Sequence, residues 1–249
     1  ETYFFIQNIM NLIFYMKFGV IIFPGSNCDK DLIHVLKDVM GQEVHELWHK
    51  DSDISHFTTE DCIMLPGGFS FGDYLRIGAI ARFSPIMESV IDFANRGGKV
   101  WGICNGFQIL CEAGLLPGVL LRNNGQQFIC ENLYIKPHTT NSAITNALSL
   151  DRALKIPIAH AEGRFFADEK AMAEIVANDQ ILFKYCDESG QVSDASNPNG
   201  SLLNIAGICN KNRNVFGMMP HPERCTEDVL GNTDGRGLFE SLLNQTVLA

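Results

Sequence analysis

Residues 99–112 read KVWGICNGFQILCE, and the order of residue types in this stretch decides the fold. Val100–Ile103 is a short apolar run of the kind that forms a buried strand. Residues 105–113 have helical spacing, and Gly114 stops them. Between the two stands Cys104, with Gly102 and Gly106 on either side. A strand that bends sharply into a helix needs small neighbours at the bend, and it exposes the residue there as a nucleophile elbow. Here that residue is a thiol. A thiol at a helix N-terminus sits in positive partial charge, which favours the thiolate. The N–H that follows it, that of Asn105, is placed to donate to an oxyanion. The bland alternative is a buried structural cysteine.

Working outward, the same alternation continues. Phe18–Phe23 reads as a buried strand ended by Pro24-Gly25, and Ser26-Asn27 are placed to cap a helix over Asp29–Met40 that Gly41 stops. Val44–Trp48 and Cys62–Leu65 read as strands, the latter stopped by Pro66-Gly67-Gly68, and Pro85–Asn95 as a helix. Strand candidates continue at Gln127–Ile135, Leu154–Ala159, Ile181–Tyr185 and Leu202–Ile208. Asp187–Gly200 reads as a loop or hairpin connection, and Gly237–Gln245 as a last helix. Strands alternating with helices, the strands apolar throughout, predict a mostly parallel central sheet covered by helices in one α/β domain over residues 16–249. Residues 1–15, ETYFFIQNIMNLIFY, fit neither a signal peptide nor a bilayer span, and we expect them to be an upstream or cloning-derived extension outside the fold.

Composition narrows the function. The 249 residues carry 19 Lys and Arg against 29 Asp and Glu, a net charge of -10, which argues against a nucleic-acid surface. No stretch predicts a membrane span. The eight cysteines are scattered and lack CxxC spacing, so we expect no metal site, a reduced and cytoplasmic setting, one nucleophile and seven bystanders.

A thiol nucleophile needs a base, and the base an orienting group. His221 lies in Met-Pro-His-Pro-Glu-Arg, residues 219–224, where prolines on both sides restrict the backbone. Glu223, two residues on, projects to the same side in an extended loop. A second oxyanion donor would come from Gly67 and Gly68, which emerge at the carboxyl end of a buried strand; the alternative is a plain turn. Gln108, one helical turn after Cys104, either contacts substrate or fills a polar gap.

These residues resemble class I, triad-type, glutamine amidotransferases: a strand ending in PGG, a GxCxG elbow and a later HPE, in the order Cys, His, Glu. FPGSNCDKD at 23–31, PGGFSFGDYLRIGAIAR at 66–82, WGICNGFQIL at 101–110, AHAEGRF at 159–165 and MMPHPER at 218–224 resemble the branch that serves as glutaminase subunit of phosphoribosylformylglycinamidine synthase. Ala161 stands where that branch's pattern has Gly. The resemblance implies a flavodoxin-like three-layer sandwich. It implies that Cys104 forms a glutamyl thioester, His221 moves the protons, Glu223 orients His221, and the Gly68 and Asn105 amides hold the oxyanion. It implies ammonia supply to an ATP-dependent synthetase in purine biosynthesis, with that large subunit and a small third subunit as partners. ATP and magnesium are expected on the synthetase and no cofactor here, since this chain has no Gly-x4-Gly-Lys-Ser/Thr phosphate loop. His160 and Glu162 are weaker candidates for the glutamine site or the partner interface, against a hydrogen-bonded core pair. Phe69–Arg82 is a candidate partner-facing surface. The competing readings are a stand-alone cysteine hydrolase such as a γ-glutamyl peptidase, and a non-catalytic α/β module.

Overall fold

Gly102 and Gly106 are where the backbone leaves no room for a side chain. A methyl at Gly106 would sit 1.9 Å from the Leu65 carbonyl oxygen, and one at Gly102 would sit 2.5 Å from the Gly106 carbonyl carbon. The helix that starts at Asn105 therefore lies directly on the strands beside it, the close packing that the glycine spacing allows. The structure, a computed structural model, describes residues 16–244. The expectation for residues 1–15 lies outside them, as does the predicted end of the last helix at Gln245.

Among the described residues, eleven strands and five α-helices follow in chain order. The strands are β1 Lys17–Ile22, β2 Glu43–Trp48, β3 Cys62–Leu65, β4 Lys99–Ile103, β5 Val119–Leu121, β6 Ile129–Pro137, β7 Leu154–His160, β8 Arg164–Phe166, β9 Ile181–Cys186, β10 Ile205–Cys209 and β11 Val215–Met218. The helices are α1 Asp29–His34, α2 Pro85–Asn95, α3 Asn105–Glu112, α4 Glu169–Ala177 and α5 Arg236–Asn244. Nine strands form one sheet in the order β2-β1-β3-β4-β11-β10-β9-β6-β7. The half from β2 to β11 is parallel. This is the flavodoxin-like strand order, whose ligand crevice lies outside the carboxyl ends of the strands. From β11 through β10, β9 and β6 to β7 the pairing is antiparallel. β5 and β8 form a separate pair. The strands nearest the site, β3 and β11, are buried at every residue, as a covered parallel sheet requires. Trp101 of β4 packs on Phe239 of α5 at 5.1 Å between ring centres, and Phe107 of α3 on Phe165 of β8 at 6.2 Å.

The departures from the sequence reading have local causes. The first helix is capped by Cys28 without a side-chain bond, not by Ser26 or Asn27. Asn27 Oδ1 accepts from Cys28 Sγ at 3.3 Å, and Ser26 Oγ reaches the Gly67 carbonyl at 3.4 Å. α1 then widens into a π-helical turn over Val35–Val39 before Gly41 turns left-handed at φ 67°. Residues 202–204 are a 3-10 turn and not the start of a strand: Leu203 and Asn204 have φ of 51° and 58°, and Asn204 Nδ2 is tied to the Ser193 carbonyl at 2.6 Å. α4 escaped the sequence reading although Asp168 caps it, its side chain accepting from the Ala171 N–H at 2.8 Å. β5 and β8, of three residues each, are too short for a periodicity signal.

Candidate active site

Cys104 has φ 51° and ψ -105°, a backbone conformation that non-glycine residues rarely adopt. The fold holds it there. Its N–H donates to the Met218 carbonyl at 2.7 Å, continuing the β4–β11 ladder, and its carbonyl starts α3 by accepting from the Gln108 N–H at 3.2 Å. The thiol, 5% exposed, turns toward the Ala159 carbonyl of β7, 3.7 Å away. This is the predicted elbow: strand, strained turn, helix.

β11 leads to the candidate base. Three residues beyond Met218, His221 donates its N–H to the Pro157 carbonyl of β7 at 2.8 Å. The segment Pro222–Arg224 is a 3-10 turn, not the extended loop expected, and the turn itself brings Glu223 round to His221. Glu223 Oε1 lies 2.6 Å from His221 Nδ1, with both side chains 1% exposed. Accepting from Nδ1–H, the carboxylate leaves Nε2 for the side of Cys104. Nε2 is buried and has no hydrogen bond of ordinary geometry. Burial works against a charged imidazole, but Glu223 and then Cys104 outweigh it, and His221 keeps its proton well above the ordinary pKa of 6.5.

The β3 loop closes the other side. A methyl on Gly67 would lie 2.7 Å from His221 Cε1 and 3.4 Å from Cys104 Cβ, so glycine is what lets the loop cross this close. Gly67 turns its carbonyl onto the Cys28 N–H at 3.4 Å, whereas Gly68, at φ 133°, borders the hollow beside Cys104. Asn105 is the first residue of α3, where N–H groups have no acceptor within the helix. Its side chain braces the loop, Oδ1 accepting from the Ser70 N–H at 3.1 Å and Nδ2 donating to Gln108 Oε1 at 3.1 Å. Gln108 Nε2 in turn donates to the Glu162 carbonyl at 2.6 Å, and Gln108 lines a hollow with Cys104. Gln108 thus fills a polar gap between Asn105 and Glu162 and also borders the hollow beside Cys104.

His160 and Glu162 are not the hydrogen-bonded pair considered above. His160 Nδ1 bonds Asn123 Oδ1 at 3.1 Å, and Nε2 is buried without a partner. Burial and then the charge of His221 lower the His160 pKa to about 4, so the ring is neutral.

Three residues of the site went unread in the sequence. Cys28, counted among the bystanders, lines the hollow beside Cys104, with Arg224 Nη2 at 3.0 Å from its sulfur. Arg224 also reaches Asp31 at 3.2 Å. Asp73 lines the adjoining hollow. Only Cys28 had a local signal, the PGSNC turn after β1. Donor atoms of Cys28, His221 and Glu223 lie within 4.8 Å of one another. The set is a poor cation cage: His221 Nδ1 is spent on Glu223, and the Arg224 guanidinium faces the Cys28 sulfur. Among the described residues no helix is long and apolar enough to cross a membrane, and all eight cysteines are free thiols.

Comparison with known proteins agrees with this architecture. Residues 16–238 match the CobB/CobQ-like glutamine amidotransferase domain. The chain is 56% identical to the phosphoribosylformylglycinamidine synthase subunit PurQ of Moorella thermoacetica, with 92% of this chain and 96% of that protein covered. It is 53% identical to the PurQ subunit of Salinibacter ruber, over 92% and 96%. Among solved structures, PurLQS from Thermotoga maritima superposes with a TM-score of 0.81 at 38% identity, covering 93% of this chain and 99% of that one. On this identity and coverage the chain belongs to the glutamine amidotransferase family, in its branch of PurQ subunits of phosphoribosylformylglycinamidine synthase.

Proposed function

We propose that Cys104, His221 and Glu223 form the glutaminase triad of this chain, and that it feeds ammonia to an ATP-dependent synthetase. The observation that carries this reading is the buried line of three groups, with the proton-bearing His221 between the Glu223 carboxylate and the Cys104 thiol. His221 Nε2 takes the Cys104 thiol proton as Sγ attacks the side-chain amide carbon of glutamine. The carbonyl oxygen takes the negative charge, held by the main-chain N–H groups of Gly68 and Asn105. His221 gives its proton to the amide nitrogen, the C–N bond breaks, and ammonia leaves a glutamyl thioester on Cys104. A water then gives a proton to His221 and attacks the thioester, releasing glutamate and restoring the thiol. Glu223 stays ionised throughout and stabilises the imidazolium.

The partner reading rests on a surface. Tyr74, Leu75 and Phe83, at 74%, 93% and 76% exposed, are large apolar side chains left in solvent within the predicted partner-facing segment. The large synthetase subunit, which would carry ATP and magnesium, and a small third subunit are the proposed partners in the cytoplasm. The test is ammonia release from glutamine by the chain alone and with the synthetase. Activity should be weak alone, rise with the partner, and vanish in Cys104→Ala. High turnover without a partner, or better cleavage of γ-glutamyl peptides, would point to a stand-alone hydrolase.

A further inference from the structure

Lys136 of β6 and Lys184 of β9 stand directly opposite one another in the antiparallel ladder. Like charges in that position repel, where opposite charges would attract. Among the described residues the lysines in ion pairs are Lys17 and Lys99, so neither of these two ammonium groups has a carboxylate partner. The acids nearby are engaged elsewhere. Asp187 accepts from the Ser189 hydroxyl at 2.6 Å and the Gln191 N–H at 2.9 Å. Asp179 accepts from the Thr139 hydroxyl at 2.8 Å and pairs with Arg213 at 3.1 Å. Glu188 is turned to the Tyr134 hydroxyl. Burial lowers Lys184 below the usual lysine range, and no neighbouring charge offsets it. A third basic group joins them. His138, two residues after Lys136, ties its N–H to the Leu182 carbonyl at 2.8 Å. Partial desolvation and then the Lys184 charge lower it below 6.5, and a neutral imidazole still donates one N–H.

These three side chains line one hollow of about 410 Å³, a volume within the range of small-molecule sites. It is not the hollow of the triad. Cys130 of β6 pairs with Ala159, whose carbonyl faces the Cys104 thiol, and Lys136 lies further along β6 by about 20 Å at the rise of a strand. Leu150 and Val192 add apolar surface to the lining, and Asp151 adds an acceptor that forms no ion pair with either lysine. Two ammonium groups and an imidazole around one space, in a chain of net charge -10, call for an anion rich in acceptor oxygens. A carboxylate would neutralise only one of the two lysines. A phosphate monoester carries close to two negative charges and three strong acceptor oxygens, one for each donor. Asp151 repels a bare phosphate, but it accepts from a hydroxyl, and Leu150 and Val192 suit the carbon frame that carries such a hydroxyl.

We propose that Lys136, Lys184 and His138 bind the phosphate of a small phosphorylated sugar, with Asp151 accepting from a hydroxyl of its body. The site is separate from the triad and does not depend on the glutaminase reading. Isothermal titration calorimetry of the full chain with ribose 5-phosphate, inorganic phosphate and ribose tests it, at an ionic strength matched with chloride so that screening of the lysine pair is not mistaken for binding. Ribose 5-phosphate should saturate one site at least about 10-fold more tightly than inorganic phosphate, and ribose should give no binding. Lys136→Met and Lys184→Met should each weaken the sugar phosphate about 10–100-fold, the worth of one charge-assisted contact. Asp151→Ala should erase the advantage over inorganic phosphate, and Cys104→Ala should bind as the parent does. Each Lys→Met change removes one of two repelling charges, so in chloride its Tm should equal or exceed that of the parent, while the rise in Tm that ribose 5-phosphate gives the parent should disappear. No saturable heat beyond matched chloride would overturn the proposal. Equal affinity for inorganic phosphate would leave an adventitious ion only and overturn the sugar assignment. Binding lost in Cys104→Ala, or kept in both lysine variants, would place the ligand elsewhere and overturn it as well.

Discussion

Glu223→Gln is the sharpest test of the triad, because it changes charge and almost nothing else. The amide has the volume of the carboxylate and retains one acceptor oxygen. What disappears is a negative charge 2.6 Å from His221 Nδ1, in a pair so buried that water cannot screen the loss. A hydrogen bond to a charged group is worth about 1.5–3 kcal/mol, against about 1 kcal/mol for a neutral one. The difference alone corresponds to roughly 2–30-fold in rate. A glutamine can also donate to Nδ1, which allows the tautomer whose Nε2 carries the only N–H, so the expected fall in kcat is at least about 30-fold. Two assays read it: glutamine-dependent ammonia release by the complex, and NMR titration of the His221 ring. The ring titrates well above 6.5 in the unaltered chain, and its midpoint must move down when a cause that raises it is removed. Stability follows the same sign. A histidine with a raised folded pKa contributes fully below 6.5 and loses that contribution as pH rises through its folded pKa, so the variant should lose alkaline stability at lower pH than the parent. A midpoint that stays put or rises, or a kcat within about threefold of the parent, would refute the argument.

Other perturbations test the frame around the triad. Gly106→Ala places a methyl 1.9 Å from the Leu65 carbonyl, and backbone cannot yield as a side chain would; denaturant unfolding should show a loss of about 2–3 kcal/mol or more. Gly67→Ala, with its methyl 2.7 Å from His221 Cε1, should cost activity well before stability; a larger drop in Tm than in kcat would count against this. His160, held neutral with a pKa of about 4 against an ordinary 6.5, contributes stability above 6.5 that is lost as pH falls toward 4. His160→Gln should therefore flatten the acid limb of a urea-midpoint profile by up to about 3 kcal/mol, and an unchanged limb would assign the acid sensitivity elsewhere.

How much of this was legible beforehand depended on where the signal was local. The elbow at Cys104 could be read because strand, small-residue bend and helix are consecutive, and each is dictated by neighbours in sequence. The link between His221 and Glu223 was readable as a pairing but not as a geometry: a 3-10 turn brings the two together where an extended loop was expected. Asp73 was unreadable, because its inward direction comes from three left-handed residues pinned by Pro24, Phe69 and Asn105. The cap of α1 was misassigned because Ser26 and Asn27 have competing partners near the β3 loop, which only the fold supplies.

The hydrogen bond from the Cys104 N–H to the Met218 carbonyl fixes more than one strand end. Cys104 and His221 follow adjacent strands, and this bond is made by Cys104 itself and by Met218, three residues before His221. Their separation is thereby set by the sheet, the stiffest part of the molecule, and a docking subunit has little leverage on it. Gly68 and the acidic wall of Asp73 hang instead on the β3 loop and the strained segment after it, next to the exposed Tyr74 and Leu75. Control of the reaction by a partner would then be exerted on how substrate is received, while the proton relay stays ready.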